Sequence, residues 1–265
     1  MSPAELSFRE GRLADCLQAL QAEVRSASAD PKKRIFLAQL LMILGQWDRA
    51  LTQLNVIRDL DASALPMVTA YQSAIECELL RAQVFTGVRS PLIFGDPEPW
   101  IAALLSALSL EGAGRLAEAA AVRARALDEA PPSAGTVNGD AFSWIADADT
   151  RLGPVLEVLL NGAYYWVPVH RIKSVSIEKP TDARDLVWLP AQFTWTNEGE
   201  AMGFIPARYP GSESGPDDAI RLGRRTDWQA VAEGVDHGVG QRLLATDQGE
   251  YGLLEVREIL LDIAS

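Results

Sequence analysis

Few side chains in this 265-residue sequence could assemble a catalytic centre, because the groups that enzymes use most are scarce or badly spaced. The two histidines, His170 and His237, are too few for an ordinary zinc site without carboxylate ligands. Cys16 and Cys77 lie inside helical apolar patterns, so we interpret them as core residues rather than as a disulfide. No Cys-x-x-Cys, His-Glu-x-x-His or P-loop pattern occurs. The sequence therefore predicts no catalytic residues, no metal site and no cofactor.

Two further polar clusters contain residue types that could carry out chemistry. Asp147 and Asp149, with Asp140 nearby, could hold a hard cation, but their spacing matches no calcium loop. The favoured interpretation is the solvated end of a short helix over Ala141–Ala148. The segment Gly211–Gly215 resembles a nucleophile elbow, except that Glu213 stands where the serine would be. We interpret this segment as a loop.

The helical part of the chain is organised around Pro31–Asp61, which reads as two helices joined at Gly45. Apolar residues recur every three or four positions on both sides of this glycine, as they do on one face of a helix. Gly11 precedes Gly45 by 34 residues, and a third copy of the pattern begins at Gly114. This period is typical of tetratricopeptide repeats, in which helix pairs stack on one another.

The segment between the second and third copies does not follow the repeat. Ala64–Gly87 is predicted to form one long helix, and Ser90–Pro99 a loop rich in proline. In tetratricopeptide stacks the leading helices line a concave groove that receives a peptide or an amphipathic helix. By the repeat register, the predicted groove residues are Ile35, Gln39, Met42, Ile101, Leu104 and Leu108. The alternative is that these residues pack against the inserted helix or the C-terminal half.

The composition changes after Pro131 and Pro132, where short runs rich in β-branched and aromatic residues begin. The predicted strands are 155–160, 163–169, 172–177, 186–189, 193–196, 201–205, 242–246 and 253–259. Dipeptides such as Asn161-Gly162 separate them, as in hairpins, and a further helix is considered within 217–228. The predicted fold class is α+β multidomain. Tetratricopeptide-like helical repeats occupy 1–133, and a mainly antiparallel β-rich domain with one or two short helices occupies 134–265.

Three consecutive aromatic residues mark one of the predicted strands. Tyr164 and Trp166 point to one face of the strand, and Tyr165 points to the other. We expect core packing on at least one of these faces, whereas exposure of the rings would instead indicate a protein contact.

The charge of the chain restricts its partners. The net charge is −12, with 13 basic and 16 acidic residues in 1–135 and with 11 and 20 in 136–265. Phosphate backbones and anionic membranes would be repelled by both halves, so nucleic acid and membranes are not expected partners. The longest uncharged run, Ala62–Ile75, has 14 residues and is too short for a membrane span. Because no secretory signal pattern is present and the cysteines are read as reduced, a cytoplasmic location is expected.

Several segments of the C-terminal half resemble the ImpE/TagJ family of accessory proteins of bacterial type VI secretion. These segments are Arg151–Glu157, Gly162–Pro168, Arg184–Ala191, Arg208–Glu213, Gly249–Tyr251 and Glu255–Glu258. In the helical half, Gly45–Leu51 and Phe94–Trp100 resemble the helical region of the same family. The resemblance covers nearly the whole chain, and the motifs occur in the same order.

The resemblance implies a non-enzymatic adaptor that binds the small subunit of the contractile sheath through that subunit's N-terminal helix. Such an adaptor would act near the ClpV-type AAA+ ATPase that recycles the sheath. The family supplies no catalytic motif, and either domain could carry the contact. Asp185, Trp188, Arg208 and Tyr209 are the candidates for a C-terminal contact surface. The alternative function is an enzyme or small-ligand site in the acidic C-terminal half. Its pocket would be formed by Asp185, Arg208, Tyr209 and Glu213.

Overall fold

The structure is a computed structural model that describes residues 1–232 and 235–262. The first half of the chain is helical. Its helices are α1 (Pro3–Arg9), α2 (Leu13–Ser26), α3 (Pro31–Ile43), α4 (Trp47–Leu60), α5 (Leu65–Phe85), α6 (Pro99–Gly112) and α7 (Leu116–Glu129). None of the helices in the described part of the chain is long and apolar enough to cross a membrane.

Three helix pairs follow the predicted repeat: α1 with α2, α3 with α4, and α6 with α7. The glycine between the two helices of each pair adopts a left-handed conformation, with φ of 77° at Gly11, 65° at Gly45 and 76° at Gly114. A side chain would be strained there. At Gly45 a Cβ atom would also lie 2.4 Å from Cγ of Glu213. The predicted helix pairs and the long helix α5 are thus present.

The second half of the chain is β-rich. Its strands are β2 (Gly135–Val137), β3 (Asp140–Phe142), β4 (Ile145–Asp147), β5 (Val155–Leu160), β6 (Ala163–Pro168), β7 (Ile172–Ile177), β8 (Trp188–Trp195), β9 (Glu200–Pro206), β10 (Thr226–Ala232), β11 (Val235–Gly240), β12 (Leu243–Thr246), β13 (Glu250–Gly252) and β14 (Glu258–Leu261). A short helix, α8 (Asp218–Arg221), precedes β10.

These strands form a large sheet and two small ones. The nine-stranded sheet has the order β1-β6-β5-β9-β8-β7-β14-β2-β3, where β1 (Leu92–Ile93) comes from the loop that precedes α6. The pair β1–β6 is parallel, and the other described pairs are antiparallel. A two-stranded sheet pairs β10 with β11, and a three-stranded sheet has the order β13-β12-β4. The predicted helix-then-β organisation is confirmed.

Several predicted elements in the second half are wrong in detail. The helix predicted over Ala141–Ala148 is replaced by β3 and β4. The helix considered within 217–228 is present as the short α8, and β10 begins within the same span. The runs 186–189 and 193–196 belong to the single strand β8, which continues through Pro190. Proline cannot donate a backbone hydrogen bond to a neighbouring strand. Pro190 is tolerated in β8 because the pairing between β7 and β8 ends at Ala191, so β7 needs no hydrogen bond from the nitrogen of Pro190.

The helices cover one face of the large sheet. One apolar cluster contains Leu41 and Leu104 from the helices together with Trp166 and Trp188 from the strands. The other face of the sheet contributes to a second cluster around Val158, Phe193 and Ile205. The first cluster therefore crosses the predicted domain boundary after residue 133, and the division into two domains stays a prediction.

Strand β6, which contains three consecutive aromatic residues, contributes side chains to both apolar clusters from its two faces. Tyr164 and Trp166 are buried in the first cluster, and Tyr165 packs against the second. The predicted alternation is confirmed, and both faces are used for packing.

Candidate protein-binding groove

The six residues predicted to line the concave groove do not form one open surface. Met42, Ile101, Leu104 and Leu108 are at most 1% exposed. They lie in the apolar cluster beneath the β-rich half, which is the alternative position that the sequence left open. Ile35 is half-buried and lines an open groove, as does the largely buried Gln39.

The concave face of the second repeat is covered by the C-terminal half of the same chain. The rings of Trp47 and Trp188 stack with their centroids 6.0 Å apart. Arg208 donates from Nη1 to the carbonyl oxygen of Ile43 at 3.0 Å. These contacts fill the far end of the predicted groove, whereas among the described residues the part near the beginning of α3 is open.

The open part, which we call the α3 groove, has a volume of about 580 Å³. Its apolar lining comes from Phe8 on α1, Leu20 on α2, and Ile35 and Phe36 on α3. On α3 the groove residues Lys32, Ile35, Phe36 and Gln39 form one stripe, because residues three and four apart on a helix share a face. The rings of Phe8 and Phe36 meet edge to face with their centroids 5.5 Å apart. This contact holds α1 against α3.

A 3₁₀ turn, Ala183–Leu186, closes the groove on the opposite side. Asp185 fixes this turn by accepting hydrogen bonds from the backbone nitrogens of Thr181 and Asp182, both at 2.9 Å. Arg184 lies over the rings of Tyr71 and Phe204, 5.1 and 4.9 Å from the ring centroids.

The same wall is joined to α3 through Tyr71. Gln39 donates from Nε2 to the hydroxyl oxygen of Tyr71 at 3.4 Å. A chain of contacts from α3 through α5 therefore supports the wall and fixes its distance from the floor of the groove.

Charged side chains surround the apolar lining. Glu5, Glu23, Asp30, Lys32, Lys33 and Asp182 all line the α3 groove. Within the described part of the chain none of these six forms an ion pair. This contrasts with other surface charges, such as the exposed pairs Arg12–Asp15 and Arg115–Glu118. The α3 groove thus combines an apolar centre with a polar rim, which is the general arrangement of protein interfaces.

A second groove lies between the first half of α5 and β9, with a volume of about 680 Å³. We call it the α5 groove. None of the described residues that line it is charged, and Leu65 and Met202 at its edge are 49% and 77% exposed. Its apolar surface makes the α5 groove a suitable place for control substitutions in tests of the α3 groove.

The four residues proposed as a C-terminal contact surface are buried. Asp185, Trp188, Arg208 and Tyr209 are between 0% and 4% exposed. Trp188 donates from Nε1 to Glu78 at 2.9 Å, and the hydroxyl of Tyr209 accepts from the backbone nitrogen of Leu243 at 3.1 Å. Their polar atoms are thus used inside the protein, and Glu213 packs against Gly45.

A buried ionic network joins the helices to the sheet. Arg81 on α5 donates to both carboxylate oxygens of Glu157 on β5, at 2.7 and 2.9 Å. Arg242 lies 3.1 Å from Glu157 and 2.6 Å from Asp147, and Tyr164 donates to Glu157. Since every one of these charged side chains is almost wholly buried, the network holds the two halves in register.

The prediction that Asp147 and Asp149 end a solvated helix is wrong. Asp147 is buried on β4, and burial raises the pKa of its carboxyl to about 6. Asp149 is also buried and pairs with Arg151 at 2.6 Å. Arg242, which pairs with Asp147 at 2.6 Å, is distant in sequence, so periodicity gave no sign of this burial.

The two histidines lie in separate places. His170 Nε2 is 3.0 Å from Glu98, and His237 Nε2 is 2.8 Å from Glu111. Within residues 1–232 and 235–262 no group of three or more metal-ligating side chains comes together.

Sequence reasoning missed Phe8, Phe36, Lys32 and Lys33 as parts of the groove. A signal was present, because Lys32, Ile35, Phe36 and Gln39 follow the same helical spacing that identified Ile35 and Gln39. The contribution of Thr181–Ala183 had no such signal, since this segment is distant in sequence.

Known proteins resemble the chain along its whole length. A family model described as ImpE protein matches residues 139–260. The type VI secretion system accessory component TagJ of Pseudomonas aeruginosa is 51% identical over 258 residues, which cover 97% of this chain and 90% of that protein. The crystal structure of protein VPA1032 from Vibrio parahaemolyticus matches with a TM-score of 0.89 at 24% identity, covering 98% of this chain and 97% of the other. At this identity the structural likeness shows the fold alone.

Proposed function

The chain belongs to the ImpE/TagJ family of type VI secretion accessory proteins, and we propose that it is a non-enzymatic adaptor for the small subunit of the contractile sheath. The bound element is the N-terminal helix of that subunit, and it lies in the α3 groove. The adaptor thereby works in the cytoplasm, near the ClpV-type AAA+ ATPase.

The observation that carries this proposal is the α3 groove itself. It is a stretch of the concave repeat surface that the β-rich half leaves uncovered, and it contains Ile35 and Gln39. Its apolar lining runs along one helix, which suits the apolar face of a second helix laid against it. From Lys32 to Gln39 the stripe spans about 10 Å, or two helical turns.

The non-enzymatic role is supported by the way in which the polar residues of the C-terminal half are used. Asp185, Arg208 and Tyr209 are buried and bond to the backbone of neighbouring segments. A site that performs chemistry would need such groups to face a substrate. They stabilise the turn beside the α3 groove and the packing of the sheet instead.

Co-purification with the small sheath subunit tests the proposal. We expect the full-length subunit to be retained by this protein and a subunit without its N-terminal helix to be lost. Binding that is unchanged by removal of the helix would contradict the proposed mechanism.

The groove is tested by a pair of matched substitutions. Ile35→Glu introduces a charge into the floor of the α3 groove and is expected to abolish binding. Met202→Glu introduces the same charge at the edge of the α5 groove, at a side chain that is 77% exposed, and is expected to leave binding intact. The reverse result, in variants that keep the circular dichroism of the wild type, would move the contact to the α5 groove.

A further inference from the structure

We infer that the segment bound in the α3 groove carries charges of both signs, placed on either side of its apolar face. An anionic side chain of the segment meets Lys32 and Lys33, and a cationic side chain meets Glu5 and Glu23. This inference rests on the proposed function, because it specifies the chemistry of the helix that the same groove receives.

Glu5 and Glu23 come from other helices than the two lysines, whereas Asp30, which also lines the groove, caps the start of α3 beside them. Glu5 belongs to α1 and Glu23 to α2, whereas Lys32 and Lys33 begin α3. Glu23 accepts a hydrogen bond from the backbone nitrogen of Ala4 at 3.3 Å, so both acidic residues lie on the same side. Lys32 and Lys33 therefore line the same cavity as Glu5 and Glu23, and no ion pair joins the two sets among the described residues.

The separation of the walls is imposed by the apolar floor. The contact between Phe8 and Phe36 holds α1 at a fixed distance from α3. Among the described residues neither lysine forms an ion pair with Glu5 or Glu23, so each charge retains its attraction for an incoming partner of opposite sign.

An uncharged occupant would fit this groove poorly. Lys33 and Glu23 are already half-buried, and a segment laid over the floor would remove more of their water. Covering a charge without giving it a partner is unfavourable, whereas covering it with an opposite charge recovers much of the loss. Complementary charges on the segment are the arrangement that avoids this penalty.

The lysines can be changed without disturbing the fold. The described contacts of their side chains include no hydrogen bond and no ion pair, and both side chains face the groove. Lys32→Glu/Lys33→Glu therefore alters the charge of one wall and leaves its shape. The matched control is Arg89→Glu/Arg125→Glu, which makes the same change in net charge at exposed side chains away from the groove.

The test uses a synthetic peptide of the first twenty or so residues of the small sheath subunit, with affinity measured by isothermal titration calorimetry. We expect Lys32→Glu/Lys33→Glu to weaken binding about tenfold or more, and the control to change it less than about twofold. Changing the acidic residues of the peptide to lysine should restore affinity for the variant and weaken affinity for the wild type. Salt should weaken the wild-type complex.

The outcomes separate this inference from the function on which it rests. If the wild type binds the peptide but the groove variant binds equally well, the inference is wrong and the adaptor function stands. Equal weakening by the control would show an effect of net charge alone and would also overturn the inference. If the wild type does not bind the peptide, the proposed function fails and the inference fails with it.

Discussion

Replacing Arg81 by methionine tests whether the buried ionic network joins the helices to the sheet. Arg81 is 2% exposed and donates to Glu157 at 2.7 and 2.9 Å and to the carbonyl oxygen of Arg208 at 2.9 Å. Methionine keeps most of the volume of the side chain but removes its charge and its donors. The carboxylate of Glu157 is then left inside the protein with weaker compensation.

The magnitude follows from the partners that Glu157 keeps. Removing one member of a buried ion pair costs about 3 to 5 kcal/mol when the other charge is left uncompensated. Glu157 retains Arg242 at 3.1 Å and the hydroxyl of Tyr164, so we expect a loss near the lower limit, about 3 kcal/mol. Glu157→Gln should cost less when combined with Arg81→Met than when introduced alone. The coupling between the two substitutions is expected to be about 2 kcal/mol.

Urea denaturation followed by far-ultraviolet circular dichroism and by tryptophan fluorescence measures these free energies. The matched control is Arg115→Met, at an ion pair with Glu118 whose side chains are 55% and 58% exposed. It should leave the unfolding midpoint within experimental error. A loss below about 1 kcal/mol for Arg81→Met, or purely additive effects in the double variant, would refute the reasoning.

Three other predictions concern the pH dependence of stability, the core that the two halves share, and the burial of Leu104. Burial acts to raise the pKa of Glu111, but its ion pairs with His237 and Arg123 outweigh this and lower it from 4.5 to about 2. Folding therefore gains about 2 to 3 kcal/mol above pH 4.5, and this gain is lost as the pH falls towards 2. In urea titrations between pH 3 and 7, Glu111→Gln should be less stable at pH 7 and less sensitive to acid than the wild type; an unchanged pH profile would contradict this. A fragment of residues 1–133 is expected to lack cooperative thermal unfolding, because Trp166 and Trp188 no longer cover its apolar face; a sharp transition would instead support an independent helical domain. Leu104→Asp should unfold the protein rather than remove binding selectively, since Leu104 is 1% exposed, and a folded variant that fails to bind would contradict this.

The helical half was largely predictable because its signals are local. The 34-residue step from Gly11 to Gly45 and the third copy of the pattern at Gly114 located the three helix pairs, and each glycine adopts the left-handed conformation that ends a helix. Hairpins at Asn161-Gly162 and Glu198-Gly199 were equally accessible, since a short turn joins neighbouring strands.

Predictions failed where a distant residue decides the local structure. Asp147 reads as the polar end of a helix, yet it lies on a strand because Arg242 neutralises it inside the core. Met42 and Leu104 read as the lining of an open groove, yet the β-rich half covers them. No residue within one helical turn of Asp147, Met42 or Leu104 could indicate these distant partners.

The sequence by itself thus determined the type of repeat, most strands, the acidic charge and the family resemblance. The tertiary structure decided which part of the concave surface stays open. Helical periodicity specifies that one face of α3 must be covered, but it does not specify by what. The covering comes from Trp188 and Arg208, more than a hundred residues further along the chain, and it stops short of Ile35 because the turn at Ala183–Leu186 is held against Tyr71. The α3 groove exists because long-range packing ends at that point.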